Sequence, residues 1–198
     1  MEWILASASP RRKELFAEII PTFEIIPAKG AEVIPSGTKV KGEIVTVLAT
    51  QKAKEVCELE QARGKAVLGA DTLVILDGEV FGKPKDEADA VRMLTALSGR
   101  THEVYTGICI KYPLNEEQYK TRFISDCTKV TFYPLTQEQI KAYVATGSPM
   151  DKAGAYGIQD GGLVERIEGS YSNVVGLPLE RCRILIAAME RHAHASEE

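Results

Sequence analysis

Between Ala66 and Leu76 the chain carries an apolar strand pattern, Ala66–Ala70 and Thr72–Leu76, interrupted by a single carboxylate, Asp71. No other stretch restricts the fold as strongly. Asp77-Gly78 follows at once, a strong two-residue hairpin signal, with Glu79–Phe81 as the return strand. An ionised side chain in such a run is costly to bury alone, so Asp71 calls for a metal, a cation or hydrogen-bond donors beside it. The other reading is an aspartate that accepts backbone N–H bonds in a turn. With a free pKa of about 3.9 it is an anion at neutral pH, suited to Mg²⁺, and a general base only where its pKa is raised.

Around this run, strands alternate with helices. Trp3–Ala6 reads as a strand and Ser7-Ala8-Ser9 as a loop. A helix then opens at Pro10, with Ser9 as N-cap and Leu15, Phe16, Ile19 and Ile20 on one side. Phe23–Ile26 reads as a second strand and Pro27–Gly37 as a loop. Residues 41–59 follow helical spacing through Ile44, Val47, Leu48 and Val56, with Gln51 or Lys52 between. Asp86–Leu97 predicts a helix ended by Gly99. Thr101–Lys111 and Tyr119–Tyr133 predict a long antiparallel pair joined through Pro113–Glu117. Thr136-x-x-Gln139 is a capping box. Gly147–Gly162 holds too many glycines for a regular element, Leu163–Ile167 reads as a strand, and Pro178–Met189 as the last helix. The class is α/β. With 198 residues the chain fits one domain, or two lobes sharing a core, over 1–191, followed by a polar tail at 192–198.

Composition removes several function classes. The net charge is −4, without the basic excess that phosphate neutralisation demands of a duplex binder, so no nucleic-acid partner is expected. Of the 3 histidines, His192 and His194 lie in the tail, which leaves His102 alone inside. Histidine catalysis is therefore not expected. The 4 cysteines, Cys57, Cys109, Cys127 and Cys182, form no C-x-x-C and no zinc spacing, and they suit a reducing cytoplasm. No apolar run approaches the ~20 residues that span a bilayer, and the start lacks a secretory pattern. An enzyme of this composition must work with carboxylates, lysines, arginines and hydroxyls.

Ser7-Ala8-Ser9-Pro10-Arg11-Arg12 sets two hydroxyls and two guanidiniums on a helix N-terminus, where free N–H groups and the dipole favour an anion. Cations at that end are otherwise destabilising by about 0.3–1 kcal/mol, a local conflict that favours a phosphate site. A plain N-cap with solvated arginines is the alternative. Lys83, in Gly82-Lys83-Pro84, projects an amine from a fixed bend, as a phosphate contact or a solvated turn lysine. Lys52 borders the apolar stripe of its helix and reaches either a cleft or water. In Asp151–Asp160, glycines let backbone approach a ligand and the Gln159 amide can read a base edge; a surface loop is the alternative. Ile167–Pro178 is a second polar, glycine-rich stretch, suited to shaping a pocket or lid.

Six motifs, Ser7-Ala-Ser-Pro-Arg-Arg12, Gly69-Ala-Asp-Thr72, Gly82-Lys-Pro84, Leu97-Ser-Gly-Arg-Thr-His102, Asp151-Lys-Ala-Gly-Ala-Tyr-Gly-Ile-Gln159 and Gly169-Ser-Tyr-Ser-Asn-Val-Val-Gly-Leu-Pro178, stand in the order and spacing of the Maf family. The chain resembles that family from about Ile4 to Met189. The resemblance implies an α/β fold like that of the inosine triphosphate pyrophosphatases, with a long mixed β-sheet, flanking helices and two lobes around a cleft. It implies cytoplasmic hydrolysis of nucleoside triphosphates to monophosphate and diphosphate, dependent on a divalent metal cation (Mg²⁺ or Mn²⁺), often by a homodimer.

By position, Asp71 resembles the family's proton acceptor, and Ser7, Arg11, Arg12, Lys52 and Lys83 its phosphate contacts. Glu32 resembles a carboxylate that with Asp71 would hold the metal. Thr72 and Gln159, with Arg11, resemble the specificity positions of the branch acting on dTTP and UTP. The chain departs from its relatives at Ala28–Val33, where Glu32 is the only carboxylate. The expected activity is thus pyrimidine nucleoside triphosphate hydrolysis by water attack at the α-phosphorus. A housecleaning pyrophosphatase for modified nucleotides and a nucleotide-binding regulator of cell division without turnover remain as alternatives.

Overall fold

In the computed structural model, which describes residues 1–34, 41–115 and 118–194, the stretch around Asp71 is one uninterrupted strand. The elements in chain order are β1 (Trp3–Leu5), α1 (Pro10–Ala17), β2 (Glu24–Ile25), α2 (Lys41–Cys57), β3 (Ala66–Leu76), β4 (Glu79–Phe81), α3 (Glu87–Leu97), β5 (Thr101–Pro113), β6 (Tyr119–Phe132), α4 (Gln137–Val144), β7 (Val164–Glu168), α5 (Tyr171–Val175) and α6 (Leu179–His194). The seven strands among the described residues form one mixed sheet in the order β2-β1-β3-β5-β6-β7, with β4 paired to β3. β1 runs parallel to β2 and β3, while β4 and β7 pair antiparallel with β3 and β6. The mixed sheet with flanking helices agrees with the sequence reading.

The chain divides into two compact units. The described residues of Met1–Asp71, Thr106–Asp126 and Gly176–Glu198 form the first, and those of Thr72–Tyr105 and Cys127–Val175 the second. In the first, alternation along β1 and β3 buries both strand faces. Leu5, Leu68, Ala70, Ile108 and Ile110 pack with Phe16 of α1 and with Cys182, Leu185 and Ile186 of α6. Ile4, Val67 and Cys109 on the other face meet Ala49, Ala53 and Val56 of α2. The buried face of α2 is therefore Val45, Thr46, Leu48, Ala49, Ala53 and Val56, whereas the sequence placed Ile44 and Val47 on it. Small side chains decide the difference, because they let the helix come closer to the sheet.

In the second unit the core joins Val74 and Leu76 of β3 to Phe81, Leu94, Leu97, Phe132, Ile140 and Tyr156. Both expected caps form, Ser9 accepting from the Arg12 amide and Thr136 and Gln139 making the reciprocal box, and Asp86, read as the first residue of its helix, instead caps it by accepting from the Asp89 amide. Gly99 ends α3 at φ +66°. Gly147–Gly162 contains three short 3₁₀ turns, at Ser148–Asp151, Ala153–Ala155 and Ile158–Asp160. The stretch after Ile167 holds the short helix α5, which its glycines and serines concealed. α6 continues to His194, past its expected end at Met189 and into the stretch read as tail. The ends of the loops at Pro27–Gly37 and Pro113–Glu117 lie outside the described residues. No described helix is long and apolar enough to cross a membrane.

His102 is buried on β5, its Nε2 2.8 Å from the Tyr156 hydroxyl and its ring edge-on to Phe132 at 5.1 Å between centroids. Nδ1 has no hydrogen-bond partner among the described residues. Burial disfavours the imidazolium and pushes the pKa down to about 4, from 6.5 in the free residue. The unfolded chain therefore binds the proton first, and the stability held above pH 6.5 is lost as pH falls toward 4. At about 1.4 kcal/mol per pKa unit the loss is about 3 kcal/mol. Denaturant titrations of the wild type against His102→Gln, which offers Tyr156 a partner without titrating, should differ by that slope between pH 6.5 and 4; equal slopes would refute the assignment.

Candidate active site

Val67, Gly69 and Asp71 alternate onto the face of β3 that α2 covers. Gly69 is required there for space. A Cβ on it would run into the Ala49 carbonyl and stand 2.8 Å from the Ala53 amide nitrogen. Gly107 on β5 serves the same helix, since its Cβ would lie 2.6 Å from the Thr46 nitrogen. The helix backbone thus rests on two glycines. Lys52, three residues beyond Ala49, then reaches the next inward position of β3, where its ammonium bonds Asp71 Oδ1.

Lys52 also meets Glu32 Oε1 at 2.8 Å, so one ammonium bridges two carboxylates. Asp71 is buried and Glu32 exposed. Asp71 Oδ2 is buried without a hydrogen-bond partner among the described residues. Burial raises the Asp71 pKa above the ordinary carboxylate value, against the opposing pull of Lys52 and Arg12. The result is a carboxylate more basic than usual with one oxygen uncommitted.

Arg12 enters from α1. Its Nε donates to the Gly176 carbonyl at 2.8 Å and its Nη1 to Ser7 Oγ at 3.4 Å, and Ser7 Oγ also accepts from the Ser9 amide at 3.2 Å. Desolvation lowers the Arg12 pKa, offset in part by the charge of Asp71 and reinforced by Arg11. The first turn of α1 contains no acid, whereas α3 begins with Asp86, Glu87 and Asp89. α3 satisfies its dipole with its own carboxylates; α1 carries serines and guanidiniums at the same end instead.

The loop bearing Glu32 is strapped to α2 by residues that the sequence did not single out. Glu55 accepts the Lys29 amide at 2.7 Å and the Gly30 amide at 2.9 Å. Gln51 accepts the Val33 amide at 3.0 Å and donates to the Val33 carbonyl. Gln51, Lys52 and Glu55 therefore grip four of the five residues from Lys29 to Val33 from one helix. Their i, i+1, i+4 spacing was visible in the sequence, but their partners were loop backbone, which has no side-chain signature.

The structure brings together Ser7, Arg12, Glu32, Lys52 and Asp71, with Arg11 beside Arg12. The other three candidates belong to the second unit. Thr72 follows Asp71 on β3 and alternates onto the face carrying Val74, against which Gly154 packs closely enough that a Cβ would lie 2.9 Å from a Val74 methyl. The Gly154 amide donates to the Gly82 carbonyl at 3.0 Å, tying the glycine-rich loop to the turn that presents exposed Lys83. Gln159 lies exposed at the far end of that loop.

A family profile described as "Maf-like protein" matches residues 2–189. The chain belongs to the Maf-like family. Among Maf-like relatives, a dTTP/UTP pyrophosphatase of Geobacter sulfurreducens is 50% identical over 89% of this chain and 90% of its own length. One of Bacillus cytotoxicus is 47% identical over 91% of each chain, and one of Carboxydothermus hydrogenoformans is 46% identical over 91% of this chain and 95% of that one. Among solved structures, the Staphylococcus aureus Ham1 protein superposes with a TM-score of 0.50 at 16% identity, covering 97% of this chain and 100% of that one. That likeness extends the fold assignment to the Ham1 architecture.

For the Maf-like chain, the two-glycine seat under α2 is the testable element. Gly69→Ala forces a methyl into helix backbone, and overpacking of that kind costs about 1–3 kcal/mol. Thermal unfolding should show that loss. Gly64→Ala, with nothing within 4 Å of its Cβ but a φ of +75°, controls for backbone strain alone.

Proposed function

We propose that the chain is a nucleoside triphosphate pyrophosphatase that hydrolyses dTTP and UTP to the monophosphate and diphosphate. The observation that carries this reading is the uncommitted, buried Oδ2 of Asp71, with Lys52 on its other oxygen and Arg12 nearby. The names of its relatives support the substrate class.

In this reading the triphosphate meets the N-terminus of α1, where Ser7, Arg11 and Arg12 hold phosphate oxygens through hydroxyl and guanidinium donors. Lys83 adds a point charge. Water attacks the α-phosphorus; the new O–P bond forms as the bond to the bridging oxygen breaks, and diphosphate leaves. Asp71 Oδ2 takes the water proton, and the raised pKa makes it a better base than a solvated aspartate. Lys52 keeps Asp71 oriented and balances its charge. Thr72 and Gln159, with Arg11, select the pyrimidine.

Asp71 and Glu32 would hold the divalent cation. The donor set fits Mg²⁺ or Mn²⁺: both are hard oxygen ligands, one carries a buried lone pair without a partner, and the pair already gathers around a cation, Lys52. No group of three or more metal-binding side chains occurs among the described residues. Two carboxylates suffice for an ion that keeps waters and substrate phosphates as its other ligands. When bound, it supplies charge neutralisation on the phosphate oxygens. The reading includes the homodimer and the cytoplasmic location that the family resemblance implies; the four cysteines are free thiols, as a reducing compartment requires.

Purified protein with dTTP or UTP in ¹⁸O-water should release diphosphate and place the label in the monophosphate. Orthophosphate as the primary product would overturn the assignment. Asp71→Asn should lower kcat about 10²–10⁴-fold, the range for removing a general base. Chelation by EDTA should abolish turnover, Mg²⁺ or Mn²⁺ should restore it, and Glu32→Gln should raise the metal concentration needed for half-maximal rate.

A further inference from the structure

In the second unit, four polar side chains are locked together beside Gln159. The Gly157 amide donates to the Tyr143 hydroxyl at 3.0 Å, and that hydroxyl donates to Asp160 Oδ2 at 2.5 Å. One phenol oxygen thus closes a ring around Gly157, Ile158, Gln159 and Asp160. Asp160 Oδ2 also accepts from Ser148 Oγ at 2.6 Å. Ser148 in turn accepts from Lys152 Nζ through Oγ at 3.0 Å and through its carbonyl at 2.5 Å, and Lys152 also pairs with Asp151 at 2.8 Å. The direction of each bond is fixed. Lys152 has only donors, Asp160 accepts, and each hydroxyl has its proton assigned.

Gln159 stands apart from this network. Its amide is exposed and has no hydrogen-bond partner among the described residues, although the residues on both sides are tied down. A side chain at Gly157 would displace its neighbours: a Cβ would lie 2.8 Å from Lys152 Cε, 2.9 Å from Asp160 Oδ2 and 3.1 Å from Gln159 Nε2. The amide therefore folds back over a glycine that the network holds in place. An amide offers one acceptor and one donor group, and on a mobile loop it could turn either toward any base. Telling one base edge from another requires the group to be held within about 0.5 Å.

We propose that Tyr143, backed by Asp160 and Ser148, is a positioning residue for base selection: its hydroxyl ties the Gly157 amide on one side of Gln159 to the Asp160 carboxylate on the other and so presents the amide to the pyrimidine in one place. This rests on the reading of Gln159 as a specificity residue. Burial and the adjacent Asp160 carboxylate push the Tyr143 pKa well above that of a free phenol, so the donor keeps its proton throughout the working pH range.

The test is the ratio of kcat/KM for dTTP to kcat/KM for dCTP and GTP in the wild type, Tyr143→Phe, Gln159→Ala and the double variant. A loss of folded enzyme scales every nucleotide equally and leaves the ratio unchanged. Gln159→Ala should lower the ratio roughly tenfold, as expected for one good hydrogen bond to the base. Tyr143→Phe should lower it by roughly threefold to tenfold, chiefly through KM for dTTP, and the double variant should fall no further than Gln159→Ala. If Gln159→Ala lowers the ratio and Tyr143→Phe does not, the positioning role is overturned. If Gln159→Ala itself leaves the ratio unchanged, the reading of Gln159 fails and the proposal with it. Should Tyr143→Phe not fold, Ser148→Ala, which removes one donor to Asp160, must show a smaller drop in the same direction or the proposal fails.

Discussion

The contact between α2 and the sheet at Gly69 and Gly107 is the constraint on which the rest of the first unit depends. With side chains at those two strand positions, the helix would have to retreat, because the obstructing atoms are its own backbone. Ala49 and Ala53 complete the seat from the helix side. Only at this separation does Lys52 lie within reach of a carboxylate on the strand floor, and only with Lys52 there is a buried Asp71 tolerable. Removing one partner of such a pair leaves an unpaired buried charge, which is far more costly than the pair itself. Packing and chemistry are therefore fixed by the same few small residues.

Much of this was legible in the sequence. The carboxylate inside an apolar run called for a metal, a cation or hydrogen-bond donors beside Asp71, and the structure sets the Lys52 ammonium there. Serines and arginines at a helix N-terminus, against the dipole, singled out α1, and the structure joins Ser7 and Arg12 there. Caps at Ser9 and Thr136 were readable because each is a local device with a fixed spacing. The packing face of α2 was misjudged because periodicity weighs large apolar residues, whereas here alanines and glycines make the closest contacts. α5 was missed because five residues dense in polar groups give no helical period. Glu55, Gln51 and the Gly176 carbonyl were invisible for a common reason: each is one half of a side-chain-to-backbone bond between segments distant in the chain. Such partners appear only after folding.

The two helix starts show how one physical rule supports opposite outcomes. α3 brings its own acids to its positive end and needs nothing further. α1 leaves that end to hydroxyls and guanidiniums, and the Gly176 carbonyl and Ser7 hydroxyl aim Arg12 in advance. The first turn of α1 brings no acid of its own to that end, so its dipole is left without a carboxylate from the helix itself.

The ammonium of Lys52 between Asp71 and Glu32 carries a final implication. Two facing carboxylates without a counterion would repel each other, and the strand and the loop that carry them would be driven apart before any substrate arrived. Lys52 removes that possibility by supplying the positive charge between them. The cost of bringing the two carboxylates together is thus met within the fold, and the loop that carries Glu32 is held to the strand floor by charge as well as by the bonds from Gln51 and Glu55.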